Sequence, residues 1–459
     1  MASRFVTCLL LAVFATACSS SDSETQTQPA TQTQPETQQT NSPSVTDSTS
    51  PAAISTTTAV STPTSPASIN TNTIFVAPEI VCSEEASASQ IWGRDPLSDS
   101  TCREDVPSAL SDPNNPGFQK LVEPASIRSG GPTPDGIPSI DNPRFADVSE
   151  VEELNEAEPV VAVSISGEAR AYPIRILTRH ELVNDTLGGV PVTISYCPLC
   201  NSAVTYDRRV ANRVLDFGTS GNLYQSSLVM YDRQTQSLWT HYDGRAVIGH
   251  LAGAQLDFFP TQIIAWGEWQ QDNPESQVLT GEIDGRSLEV YGGNPYVGYE
   301  TSSNLLSPGF QSEPIDERLP AKERIIGLRT PEGEAVAIRH AYLREAQVIE
   351  LSFGGLPLVV WNLPGATSAI DGRFVYEGQD VGTTGVFSAL IGDIALTFEP
   401  AEGGFRDRET GSLWSVTGKA TEGTYEGAQL APQEYLDTFW FAWATFNKST
   451  TIIPAEADI

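Results

Sequence analysis

Basic residues are scarce in this 459-residue chain: 26 Lys and Arg stand against 58 Asp and Glu, a formal charge of −32. That balance excludes nucleic acid and anionic membrane surfaces as natural partners and favours solubility, with no bearing on fold. Histidine is scarcer still, with four in the chain. Past the N-terminal run of residues 5–17 no apolar stretch is long enough to cross a bilayer. Common catalytic signatures are missing too. No Gly-x-Ser-x-Gly elbow occurs, which argues against the usual esterase arrangement. Gly218-Thr219-Ser220-Gly221 lacks the lysine of a phosphate loop, and His180-Glu181 lacks a zincin's second histidine because position 184 is Asn184.

The N-terminus combines Arg4, the apolar run and small residues ahead of Cys18, which describes a secretory signal over residues 1–17. Ala15-Thr16-Ala17-Cys18 is similar to a bacterial lipobox, which makes Cys18 the expected lipidated residue and the membrane a partner through that anchor. Residues 18–73 hold Ser, Thr, Gln and Pro without Lys or Arg, too little apolar surface to offset chain entropy, so a disordered stalk is expected. The expected location is extracytoplasmic, on the cell envelope. Of six cysteines, this processing leaves Cys82, Cys102, Cys197 and Cys200. An even number outside the cytosol favours disulfides, and Cys82 with Cys102 is the expected staple of an irregular lead-in over 74–154.

From residue 155 onward, alternation and β-branched content predict a mainly β fold with a few short helices. Strands are expected at 159–165, 169–172, 190–196, 203–206, 214–217, 227–231 and 237–242, with a short helix over 174–184. Residues 167–204 align without a gap onto 333–370, matching Gly167-Glu168-Ala169 to Gly333-Glu334-Ala335 and Gly188-Gly189 to Gly354-Gly355. Further on, Asp232-Arg233 through Trp239 matches Asp407-Arg408 through Trp414, and Trp266 and Trp269 match Trp440 and Trp443. Two tandem copies of one β-module follow, 155–290 and 320–459, joined by a connection over 291–319, with the second copy degenerate. Features kept in both copies read as architecture. Asp232-Arg233 and Asp407-Arg408 are therefore expected to be ion pairs holding a turn.

What one copy alone carries is the candidate chemistry. Cys197-Pro198-Leu199-Cys200 has no cysteines in its counterpart, Leu363-Pro364-Gly365-Ala366. His180, His241 and His250 face Ala346, Val416 and Thr424, whereas His340 of the second copy faces Ile174. Two thiolates from one tight turn plus imidazole suit zinc or copper, so Cys197, Cys200 and His180, with His241 as a fourth, form an expected metal site. Its open position would serve Lewis-acid chemistry or exchange with a metal donor; turnover is left open. Two alternatives stand beside it. One is a thiol–disulfide oxidoreductase with Cys197 attacking and Cys200 resolving. The other is a non-catalytic surface binding module stapled by a Cys197–Cys200 disulfide.

Arg179-His180-Glu181-Leu182-Val183-Asn184-Asp185, running into Tyr196-Cys197-Pro198-Leu199-Cys200, and Leu228-Val229-Met230-Tyr231-Asp232-Arg233, running into Ser237-Leu238-Trp239, resemble the bacterial domain of unknown function 3179. The resemblance implies no activity. It places His180, Cys197 and Cys200 in the family motif, with Asn201 where a glycine is usual.

Overall fold

Each alternating run finds its partner next door in the sequence, so the chain folds as a series of antiparallel hairpins. The computed structural model describes residues 119–454 except 211, 281–287 and 302–312. The expected signal, the Cys18 anchor, the stalk and the Cys82–Cys102 pair lie outside the described residues.

Pro159–Ile165 pairs with Glu168–Pro173 across Ser166 and Gly167, both in the left-handed region at φ 52° and 83°. Those angles match the right-handed twist of the flanking strands. A helix, Ile174–His180, follows and stops earlier than the expected 184. Glu181 turns left-handed at φ 59°, and Leu182–Leu187 leaves as a strand against Val190–Cys197. Leu182 fits a helical spacing and a strand alternation equally well; pairing with the next strand decides. Ser202–Asp207 adds the third strand, with Cys197 opposite Ser202. The meander Phe217–Tyr224, Ser227–Asp232, Leu238–Thr240 and Ala246–Gly249 comes next. The strand expected at 214–217 is in fact divided, Arg213–Val214 pairing with Arg209–Val210 and Phe217 opening the next strand. Gln262–Ala265 and the helix Trp266–Asp272 close the half.

The same order returns from Arg324: the hairpin Arg324–Arg329 with Ala335–Arg339, the helix His340–Ala346, and Val348–Phe353 against Leu356–Leu363. Gly354 and Gly355 (φ 58° and 76°) repeat the turn of Gly188 and Gly189 (φ 56° and 76°). Beyond Leu363 the gapless alignment fails. The strand that matches Ser202–Asp207 is Thr383–Ser388, with Leu363 opposite Thr383, so residues 364–382 replace the four-residue Cys turn. The half ends on Leu436–Phe439 and the helix Trp440–Phe446.

The repeated Asp-Arg turn is architecture, though by a different bond from the one expected. Asp232 accepts hydrogen bonds from Thr235 and from Trp239 Nε1 (2.9 Å), and Asp407 does the same for Thr410 and Trp414 Nε1 (2.9 Å). The arginines look outward instead, Arg233 to Asp135 and Asp141, Arg408 to Glu399. A buried carboxylate here satisfies an indole N–H that the core would otherwise strand. One hydrophobic core runs through both halves, with Tyr196, Trp239 and Trp266 in the same cluster as Trp361, Trp414 and Trp443. The lead-in adds edge strands: Gln119–Lys120 on Ala246–Gly249 and Ile127–Ser129 on Phe217–Tyr224.

Candidate functional site

Strand register builds the site. Val190–Cys197 ends at the first thiol, Pro198 and Leu199 make the turn, and Asn201 closes it with φ 49°, the left-handed conformation that asparagine tolerates. Both thiols are unbonded and buried, at 1% and 0% exposure. Cys200 Sγ accepts from Ser202 Oγ at 3.3 Å and lies 3.6 Å from Ser227 Oγ. Ser202 Oγ is in turn 2.8 Å from His241 Nε2, and His241 Nδ1 is 2.7 Å from Ser195 Oγ. Tyr206 Oη donates to the His241 carbonyl at 2.6 Å, and His241 N–H donates to the Leu228 carbonyl at 3.0 Å, so the imidazole is held from behind as well.

The electrostatics give this chain a direction. Burial lowers the His241 pKa to about 3, so the ring is neutral and carries one N–H. If Ser202 spends its proton on Cys200, it must accept from His241 Nε2–H, and Nδ1 then accepts from Ser195. Three donors thus line up behind one sulfur. Burial alone would raise both thiols. For Cys200, hydrogen bonding with Cys197, Ser202 and Ser227 together outweighs it and brings the thiol below its ordinary value. Cys197 goes the other way, pushed well up by burial and by its bond to Cys200. Of the two, Cys200 is therefore the more readily ionised thiol.

The second half shows what the frame looks like without this duty. Trp361 occupies the position of Ser195 and Val416 that of His241. The Trp361 ring stacks on Phe405 at 4.4 Å, and its Nε1 donates to the Val416 carbonyl at 3.1 Å. One architecture therefore carries an aromatic core in one half and a polar chain ending on the Cys200 sulfur in the other.

Glu181 is the residue that sequence reasoning passed over. It sits buried beside Cys197, and burial first, then Cys197, raises its pKa to about 8. Its counterpart at the equivalent left-handed position is the neutral Gln347, a difference the repeat contained all along. Because the folded carboxyl keeps its proton to about pH 8 while an unfolded one releases it near 4.5, the folded state binds more protons in between. Stability therefore falls as pH rises through that window. Glu181→Gln is expected to flatten the decline and to raise stability at pH 8 by on the order of a few kcal/mol, read from urea unfolding at pH 5 and pH 8. Asp232 and Glu268, raised by burial to about 6 and about 7, supply the slope that remains.

The turn is clamped from both sides. Tyr299 Oη donates to the Leu199 carbonyl at 2.9 Å. The Cys200 carbonyl accepts from Thr438 Oγ1 (2.8 Å) and Phe439 N–H (3.1 Å) of the second half. Asn201 Nδ2 donates to Asp437 Oδ1 at 3.3 Å, and Asp437 and Glu300 share the buried Arg324.

The expected metal-ligand set does not assemble around the thiols. His180 is buried, but its Nδ1 is 2.7 Å from the Pro138 carbonyl and its Nε2 3.0 Å from Tyr291 Oη. His241 is close, one hydroxyl away from Cys200, with both ring nitrogens engaged. His250 lies in the turn after Ala246–Gly249, and His340 opens a helix of the second half. Among the described residues no three His, Cys, Asp or Glu side chains converge as a metal-holding group.

A β-rich fold with a buried dithiol in the turn between two strands is the class that fold and site define. The chain belongs to the family described as protein of unknown function (DUF3179), which matches residues 134–450. Neither curated proteins nor solved structures yield a match to the chain.

Proposed function

We propose that the protein is a thiol–disulfide redox protein whose working couple is Cys197/Cys200, with Cys200 as the reacting thiolate. The observation that supports this is the hydrogen-bond set on the buried Cys200 Sγ: Ser202 Oγ donates to it at 3.3 Å, and Ser227 Oγ, 3.6 Å away, accepts from the thiol and is placed to turn its own hydroxyl toward the ionised sulfur. This reverses the roles expected from the spacing alone, in which Cys197 attacked. In the forward step the Cys200 thiolate attacks one sulfur of a partner disulfide, forming a mixed disulfide and releasing one thiolate. Cys197 then gives its proton to that leaving thiolate and attacks Cys200 Sγ. The Cys197–Cys200 bond forms, the second partner sulfur leaves as thiolate, and two electrons have passed from the dithiol to the partner. Cys200 is fully buried, so the turn must open for a partner to reach the sulfur. A lipid anchor at Cys18 and an extracytoplasmic location, both read from the N-terminal residues, suit such a couple.

Zinc or copper is the competing occupant, favoured by a neutral imidazole one hydroxyl from two adjacent thiols. The fit is two ligands rather than three, since His241 would have to give up Ser202.

Equilibration of the full chain in glutathione buffers, read by intact mass and thiol counting beside elemental analysis, tests the proposal. The expected result is a single reversible two-electron transition assigned to Cys197 and Cys200. Stoichiometric zinc or copper that disappears in Cys200→Ser would establish the metal reading instead. Thiols that stay inert across the whole range would leave a structural pair.

A further inference from the structure

The two halves meet in two equivalent grooves, and the grooves differ. In one, the hairpin strand contributes Gly327 and Arg329, and the closing segment contributes Phe258, Phe259 and Glu434. The Arg329 guanidinium lines this groove, 4.9 Å from the Phe258 ring and donating to the Tyr242 carbonyl at 3.2 Å, and the space left there is about 20 Å³. The other groove is built from the matching positions. Strand register sets Gly327 opposite Leu436 and Ala162 opposite Gln262, so Ser164 stands where the first groove has Arg329. The pairing of Tyr206 with Phe258 recurs as Phe387 with Pro432, so Pro260 stands where the first has Glu434. With a serine and a proline in place of that charged pair, the second groove is open, with a cavity of about 310 Å³. That volume falls at the lower end of the range typical of small-ligand sites.

Its lining decides the chemistry. Trp269, Phe387 and Tyr435 supply aromatic walls, and apolar surface dominates. In a chain with more than two acids per base, no Asp or Glu lines the cavity, and its charged residue is Lys419. Among the described residues Lys419 forms no ion pair; its Nζ lies 3.5 Å from the Asp272 carbonyl, while the Asp272 carboxylate takes the Thr417 hydroxyl at 2.7 Å. Trp269 is 3% exposed and its Nε1 has no partner, whereas the matching Trp443 Nε1 donates to Thr450 at 2.9 Å. An apolar slot with a cation at its rim that forms no ion pair selects a small monocarboxylate with an aromatic or branched body.

We propose that this groove, floored by Trp269 and Phe387 and topped by Lys419, is a binding site for a small apolar carboxylate. The inference stands apart from the dithiol reading. Phenylacetate is the probe, with phenylacetamide as its uncharged counterpart, titrated calorimetrically into the full chain. Saturable phenylacetate binding is expected. It should weaken about tenfold in Lys419→Gln, an exposed position, through loss of the charge-assisted contact. It should vanish in Ser164→Arg, which installs the plug of the sister groove on an exposed strand position. Phenylacetamide is expected to bind weakly, and Lys419→Gln should not weaken it further. No saturable phenylacetate binding by the unaltered chain up to about 10 mM, a free energy no better than a weak fragment's, would overturn the proposal. So would equal affinity in all three proteins.

Discussion

Exchanging Cys200 for serine is expected to abolish the redox couple and to leave Cys197 as a slow, unionised thiol. Cys197 is the thiol whose charged form the fold disfavours: it is buried at the end of a strand and serves as a donor to its neighbour. The reciprocal change, Cys197→Ser, exchanges the thiol beside Cys200 for a hydroxyl and leaves Ser202, Ser227 and His241 in place. The two single variants should therefore differ in alkylation by iodoacetamide at neutral pH, with the Cys200 thiol reacting at least about tenfold faster, because each unit of pKa changes the thiolate fraction tenfold. Both sulfurs lie in the same turn and are equally buried, and running the comparison again in urea-unfolded protein separates ionisation from intrinsic reactivity.

Arg324→Met is expected to destabilise the protein by about 3–5 kcal/mol, the cost of stripping a buried charge network of its shared cation. Arg324 Nη2 reaches Glu300 at 3.0 Å and Nη1 reaches Asp437 at 3.1 Å, with the three side chains at 7%, 8% and 8% exposure. Removing the guanidinium leaves two carboxylates buried together with no counter-charge. Adding Glu300→Gln and Asp437→Asn to the same chain should recover most of the loss, which urea unfolding would show. Asp437 also receives Asn201 Nδ2, so the single variant should loosen the thiol turn and speed alkylation of Cys200 even where the chain remains folded.

Much of the β architecture was legible because hairpins join neighbours, and alternation with glycine turns is local information. The helix end was not, since Leu182 satisfies either period and the choice rests on pairing with Ser195. Nor was the change after Leu363, where the two copies still align residue for residue while one makes a four-residue turn and the other a long excursion. At the site, the repeat singled out Cys197, Cys200 and His241, because chemistry private to one copy stands out against a shared frame, but by the same rule it singled out His180 and His250, which lie away from the thiols. Ser195, Ser202 and Ser227 left no such mark: serine is common, and what these three do depends on a register that sets Ser202 across from Cys197 and brings residue 241 up behind it. His180, expected as a metal ligand, instead points its ring nitrogens toward Pro138 and Tyr291, a direction that its place in the sequence does not reveal.

The most direct test of the account is a pH titration of the two thiols in the full chain, following thiolate absorbance and assigning each step with the single cysteine variants. The account predicts that Cys200 ionises below the ordinary thiol range and Cys197 well above it. It also predicts that Ser202→Ala moves the Cys200 step upward while the protein stays folded, since the hydroxyl that relays His241 to the sulfur is gone. A first ionisation that belongs to Cys197, or a Cys200 step that Ser202→Ala leaves in place, would contradict it.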